Sequence, residues 1–289
     1  MRPFLNRLAL AAALAALSLA TYASDAIASV TIGQAAPAPP PNTCSNLTAD
    51  WLQPTVMSGN SYVVPAVGTI TSWTTRASST PTGQRYTMKV FRHVSGSNYT
   101  VVGHDGPHPL ANGAINTFPT SIGVMPGDLL GMNDNDPAAP VSTACTYASP
   151  GNAVYFRSGN LADAGSGSFL SPAANSRMNI QAVFEPSNSF TIGATLRDRK
   201  RGTATLTVIL PNSGELTGSG NGAAVASAPA VTSESVGAGQ AQLLIKAKGK
   251  KKRKLNDRGK VKLTVAITYT PVNGDPGTQS VKVKLRKNL

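Results

Sequence analysis

Three histidines, His93, His104 and His108, fall within 16 residues, and grouped imidazoles are a common beginning of a metal centre. Their spacing argues otherwise. Arg85 to Asp105 reads as a β-hairpin turning at Gly96-Ser97, which sets Ser95 opposite Asn98 and His104 opposite Lys89. About 13 Å of strand then separates His104 from His93, too far for two ligands that each need one zinc ion within about 2.1 Å. A polar hairpin end is the preferred reading, with a two-ligand turn at His104-Asp105-Gly106-Pro107-His108 as the alternative. The run Asn133-Asp134-Asn135-Asp136 offers four side-chain oxygens to a calcium ion. The Gly and closing Glu of an EF-hand loop are missing, however, and Asx-rich turns form on their own account. No metal and no cofactor is expected.

Covalent chemistry has equally little support. Asp50, Asp105, Asp128, Asp134, Asp136, Asp163 and Glu185 would supply the carboxylate pair of a glycosidase, but no spacing brings two of them together. There is no G-x-S-x-G nucleophile elbow. Cys44 and Cys145 are the only cysteines, an even count that in an exported chain predicts one disulfide. Closing a loop of about 100 residues, it contributes roughly 4–5 kcal/mol on the chain-entropy model. Trp73 shares a strand face with Thr69, Thr71 and Thr75. Core packing is the preferred reading, since tryptophans are highly buried on average; stacking on a sugar ring is the alternative. Trp51 is expected in the core.

The strongest signal is electrostatic. From Ser187 onward there are 18 Lys and Arg against 5 Asp and Glu, a net of +13; residues 29–186 have 6 against 7. Lys246 and Lys248 alternate with Ile245 and Ala247, Lys260 and Lys262 with Val261 and Leu263, and Lys282, Lys284 and Arg286 with Val283 and Leu285. In strands this pattern buries one side and presents cations on the other. Lys250, Lys251, Lys252, Arg253 and Lys254 read as a loop-tip cluster between the first two strands. A simple hairpin there would set Lys246 against Lys262 and Lys248 against Lys260, pairs that destabilise a ladder. Together these twelve side chains form the expected polyanion-binding set; a merely solubilising face is the competing reading. Nucleic-acid specificity is not expected, because only Tyr269 lies among the basic segments and no aromatic series is there to stack bases.

The elements that must position these residues are short strands. Charged residues make up 13% of the chain, and Gly and Pro number 27 and 21, a composition of turns rather than long helices. Runs at 61–64, 69–75, 85–94, 99–104, 129–132, 153–156 and 178–184 predict a jelly-roll-like β-sandwich over 44–186. On the hairpin, Met88, Val90, Val94, Tyr99 and Val101 take the core face and Lys89, His93, Thr100 and His104 the wet face; Arg92 and Phe91 sit awkwardly. Runs at 190–196, 203–210, 242–247, 261–270 and 280–285 predict an immunoglobulin-like sandwich over 187–289, with 218–239 a long loop. The expected fold is therefore all-β.

Residues 1–28 read as a signal peptide: Arg2 and Arg7 precede an apolar stretch from Leu8 to Ala20, and Ala26-Ile27-Ala28 follows as a cleavage signature. That stretch is too short to span a bilayer, and no later segment is apolar enough. A Pro-rich linker is expected at 29–43, within which Ala35 to Asn42 reads as a stiff, unpacked spacer. The run Val101-Val102-Gly103-His104-Asp105-Gly106-Pro107, then Val124-Met125-Pro126-Gly127-Asp128, and a Lys-rich end resemble secreted, largely uncharacterised proteins of soil actinobacteria. Arg201 to Leu206 and Thr268-Tyr269-Thr270-Pro271 are similar to the immunoglobulin-like modules that end many of them. The resemblance implies export and β-architecture. The expected function is a secreted, non-catalytic binding or adhesion protein, its basic module held on an anionic cell-wall or extracellular polymer and its first domain taking a glycan. The alternatives are a tethered carbohydrate-active hydrolase and a structural surface-layer component.

Overall fold

The computed structural model describes residues 29–41, 43–44, 48–134, 143–225, 228–229 and 239–289. The expected signal peptide, along with Asn135 and Asp136 of the Asx run, lies outside the described residues.

The first sandwich is built from β1 (Val30–Gln34), β2 (Ala49–Leu52), β3 (Gly68–Arg76), β4 (Arg85–Ser95), β5 (Asn98–Pro109), β6 (Ile115–Val124), β7 (Leu129–Asn133), β8 (Thr146–Ser158), β9 (Ser166–Ser168), β10 (Ser171–Met178) and β11 (Ile180–Pro186). One antiparallel sheet runs β1-β11-β3-β6 and the other β10-β8-β2-β7-β4-β5-β9. Between them pack Ile32, Trp51, Ile70, Trp73, Met88, Val90, Leu130, Met132, Val154 and Phe184. The expected linker at 29–43 opens with a strand, Val30-Thr31-Ile32 pairing with β11. The spacer expected from Ala35 is not unpacked: Ala36 and Pro40 are buried, and the Ala36 N–H donates to Asn179 Oδ1 at 2.9 Å. The Cys44–Cys145 disulfide is present, tying this entry segment to the chain just before β8.

The β4–β5 hairpin keeps the expected Ser95–Asn98 and Lys89–His104 pairs, but its register shifts between Val90 and Phe91 and again after His93. An extra residue turns over the side chains that follow it on its own strand. On β4, Met88 and Val90 enter the main core and Lys89 and Phe91 take the opposite face, as alternation requires. On β5 the extra residue is Val102, which brings Val101 and Tyr99 to the Phe91 side, where they join Leu52, Leu129 and Phe169 in a second cluster. This corrects the expected placing of Tyr99 and Val101 on the Met88 face. Val94 is exposed, Phe91 and Lys89 are buried, and Arg92 ion-pairs with Asp128. Gly131 lies where these layers meet; a Cβ there would come within 2.5 Å of both Phe91 and the Trp51 carbonyl.

The second sandwich comprises β12 (Thr191–Asp198), β13 (Thr203–Leu210), β14 (Gly214–Ser219), β15 (Ala223–Val225), β16 (Ala228–Pro229), β17 (Gly239–Ala247), α1 (Gly249–Arg258), β18 (Lys260–Pro271) and β19 (Gly277–Arg286). Its sheets run β12-β13-β17-β15 and β16-β14-β18-β19, the two-sheet arrangement of an immunoglobulin-like domain. Leu206, Val208, Leu243, Ile245, Leu263, Val265, Ile267 and Leu285 fill the space between. Two short strands, β15 and β16, and the end of β14 occupy part of the stretch expected to be a loop at 218–239. The larger correction is α1, which stands where a loop tip was expected.

Candidate functional site

Every straight-chain Lys and Arg in Lys250–Lys254 is a good helix former, and Gly259, at φ +62°, stops the helix in the left-handed conformation. The rest of its local chemistry opposes a helix. Ten residues are short for one, Lys248 caps without a side-chain hydrogen bond, and no acidic residue sits in the first turn. Cations instead crowd the positively polarised end. What holds α1 is Leu255, its one buried side chain, packed into the domain core. Tertiary burial overrides the local preference.

With Leu255 inward, Lys251, Lys254 and Arg258 fall at i, i+3 and i+7, one side of the helix. They face the outer surface of β18 and β19. On those strands Val261, Leu263, Val283 and Leu285 are buried, so the alternate residues turn outward. Lys260 stands opposite Arg286, Lys262 opposite Lys284, and Thr264 opposite Lys282. Helix and strands enclose a groove of about 450 Å³ lined by Lys251, Lys254, Arg258, Lys260, Val261, Lys262 and Lys284. Six of its seven lining residues are cations and none is acidic. Among the described residues none of the six forms an ion pair.

The structure thus gathers five of the twelve expected basic residues, with Lys282 and Arg286 on adjoining rungs. It separates the others. Strand β17 pairs with β13 and β15, not with β18, so the expected Lys246–Lys262 and Lys248–Lys260 contacts do not exist. Lys246 belongs to the opposite sheet. Lys250, Lys252 and Arg253 are exposed on α1 without lining the groove. One groove cation was missed: Arg258 is placed only once the helix is known. Arg197, which does not line the groove, donates its Nε–H to the Lys284 carbonyl at 2.9 Å.

In the first domain each histidine has its own partner. His93 Nε2 lies 2.9 Å from the Gly96 carbonyl, His104 Nδ1 2.7 Å from Asp163 Oδ1, and His108 Nε2 3.0 Å from Asp105 Oδ1. Trp73 offers no face to a sugar. It is fully buried against Phe118 and His108, and its indole N–H donates to Asp105 Oδ2 at 2.6 Å. Core packing accounts for it.

Asn133 and Asp134 are buried and engaged internally. Asp134 accepts the Ala49 N–H at 2.8 Å and the Trp51 indole N–H at 3.2 Å, and burial pushes its carboxyl up to about 6. Cys44, Cys145 and Asp134 stand close enough to hold an ion, but the two sulfurs are bonded to each other. A thioether-like disulfide sulfur is no substitute for the thiolate a metal requires. Where the domains meet, Glu185 and Asp275 line a cavity of about 330 Å³ with Val67, Gly68, Thr69, Pro186, Ser187, Asn188 and Ser189, a lining without an aromatic platform.

The chain matches no protein-family model, no curated protein and no solved structure. Among the described residues no helix is long and apolar enough to cross a membrane.

Proposed function

We propose that this is an exported, non-catalytic binding protein whose second domain holds a linear polyanion in the groove between α1 and the β18–β19 ladder. The observation that carries the reading is the convergence of six cations from one helix and two strands on a single groove with no acidic lining residue. A surface serving solubility alone needs net charge, not convergence. Directly opposed cations cost stability, and Lys262 opposite Lys284 is such a cost retained. The disulfide suits an oxidising compartment outside the cytosol. An anionic wall or extracellular polymer is the partner this chemistry fits, recognised by charge and spacing rather than by bases.

Titration of the full mature chain with a polyphosphate of defined length, at rising salt, tests the reading. Counterion release makes log K fall linearly with log salt, and each groove cation neutralised lowers that slope by about one. Affinity that ignores ionic strength rejects it, as does equal affinity for an uncharged glucan.

A further inference from the structure

Lys89, on β4, is 2% exposed. Its Nζ lies 2.7 Å from Asp50 Oδ1, 2.5 Å from Asn160 Oδ1 and 2.6 Å from the Leu161 carbonyl. Asp50, on β2, is wholly buried. It also accepts the Asn133 side-chain N–H at 2.8 Å and the Leu161 backbone N–H at 2.9 Å, with Arg157 at 3.4 Å. Asn160 follows β8 and is exposed at the surface. A primary amine, a carboxamide and a buried carboxylate therefore share one small space, walled on one side by the Leu52–Phe91–Leu161 cluster.

We propose that Lys89 and Asn160 become joined after folding by an intramolecular isopeptide bond, Nζ to Cγ, with Asp50 carrying the proton. A C=O bond is about 1.2 Å long, so Cγ lies within about 3.7 Å of Nζ, close to the 3–3.5 Å of a near-attack arrangement. Desolvation lowers the Lys89 pKa and so favours the neutral, nucleophilic amine. The ammonium gives one proton to Asp50, and the freed Nζ pair attacks Cγ. The Cγ–Nδ2 bond then breaks as the departing nitrogen takes one proton from Nζ and one from Asp50. Lysine ammonium plus asparagine amide gives a secondary amide plus ammonium, with nothing oxidised or reduced. The shallow groove lined by Thr87, His104, Asn160 and Ala162 gives the ammonia a way out. Asp50 keeps Arg157, Asn133 and the Leu161 N–H as partners once the lysine charge is gone. The product staples β4 to the segment after β8, 71 residues apart.

An ion pair with no chemistry would have the same contacts, and mass separates the two. Intact mass of the purified, folded mature chain is expected to be lower by one ammonia, about 17 Da, beyond the two hydrogens of the disulfide. Proteolysis is expected to yield one branched peptide containing Lys89 and Asn160. Asn160→Ala, a surface replacement that leaves the core untouched, restores the full mass, as do Lys89→Met and Asp50→Asn. A wild-type chain of unlinked mass overturns the proposal. So does a loss without a branched peptide, which assigns it to a succinimide at Asn160.

Discussion

Lys262 and Lys284 face each other across one rung of the β18–β19 ladder, on the outer side of the sheet. Such a pair costs a few tenths of a kcal/mol when exposed, and an opposite pair returns a similar amount. Lys284→Glu is therefore expected to raise the melting temperature of the second domain by about 2–4 °C while weakening polyphosphate binding. Calorimetry and a binding titration on the same variant check it. Lower stability together with undiminished binding would show that the rung is not held against its own repulsion for a ligand.

Leu255 gives a test in which no charge changes. It is the one apolar anchor of a helix that its own sequence does not support. Leu255→Ala removes about 2–5 kcal/mol of core packing and releases Lys251, Lys254 and Arg258 from the groove. Polyphosphate affinity is expected to fall several-fold at constant net charge, with loss of helical signal by circular dichroism. A mobile strand of six cations binding as well as the ordered groove would remove any role for the helix.

The disulfide closes a loop of 101 residues within the first domain. Replacing Cys44 and Cys145 together by Ala is expected to cost about 2–5 kcal/mol, read as a lower urea midpoint. The second domain has its own core and contains neither cysteine, so its unfolding transition is expected not to move.

Asp134 ties stability to pH. Burial raises its folded-state pKa to about 6 above an unfolded value near 3.9. The native state therefore holds a proton that the unfolded state releases between about pH 4 and pH 6. Stability falls as pH rises through that window, by about 3 kcal/mol in all. Urea midpoints from pH 4 to pH 7 are expected to show this fall in the wild type and to lose it in Asp134→Asn. The comparison of slopes, not of absolute stabilities, is what counts, because the amide has one acceptor oxygen and cannot accept from both Ala49 and Trp51 as the carboxylate does.

What was legible in the chain was whatever a period of two could write. The alternation of Lys with Val and Leu at 260–263 and 282–286 placed both strands and their outward cations. The even cysteine count placed the disulfide. Pairing partners were not legible, because register across 20 or more residues depends on which sheet a strand joins. Lys246 thus went to the wrong neighbour, and β17 in fact lies in the facing sheet. The helix was hidden because Leu255 is its only apolar contact, too little to write a helical period, and Arg258 was hidden with it. Tyr99 and Val101 went to the wrong face because the extra Val102 leaves no mark in composition, while Phe91 and Lys89 kept the expected face but are buried because Leu161 and Phe169 cover it.

On the proposed function, position rather than total charge makes the binding site. Two triple variants carry the same change in net charge: Lys254→Glu, Lys262→Glu, Lys284→Glu in the groove, and Lys246→Glu, Lys252→Glu, Arg253→Glu outside it. Polyphosphate affinity measured side by side at moderate salt is expected to fall at least tenfold further in the groove variant, with the outer variant close to wild type. Equal losses in both would mean that the domain binds by diffuse charge, and the groove assignment would be contradicted.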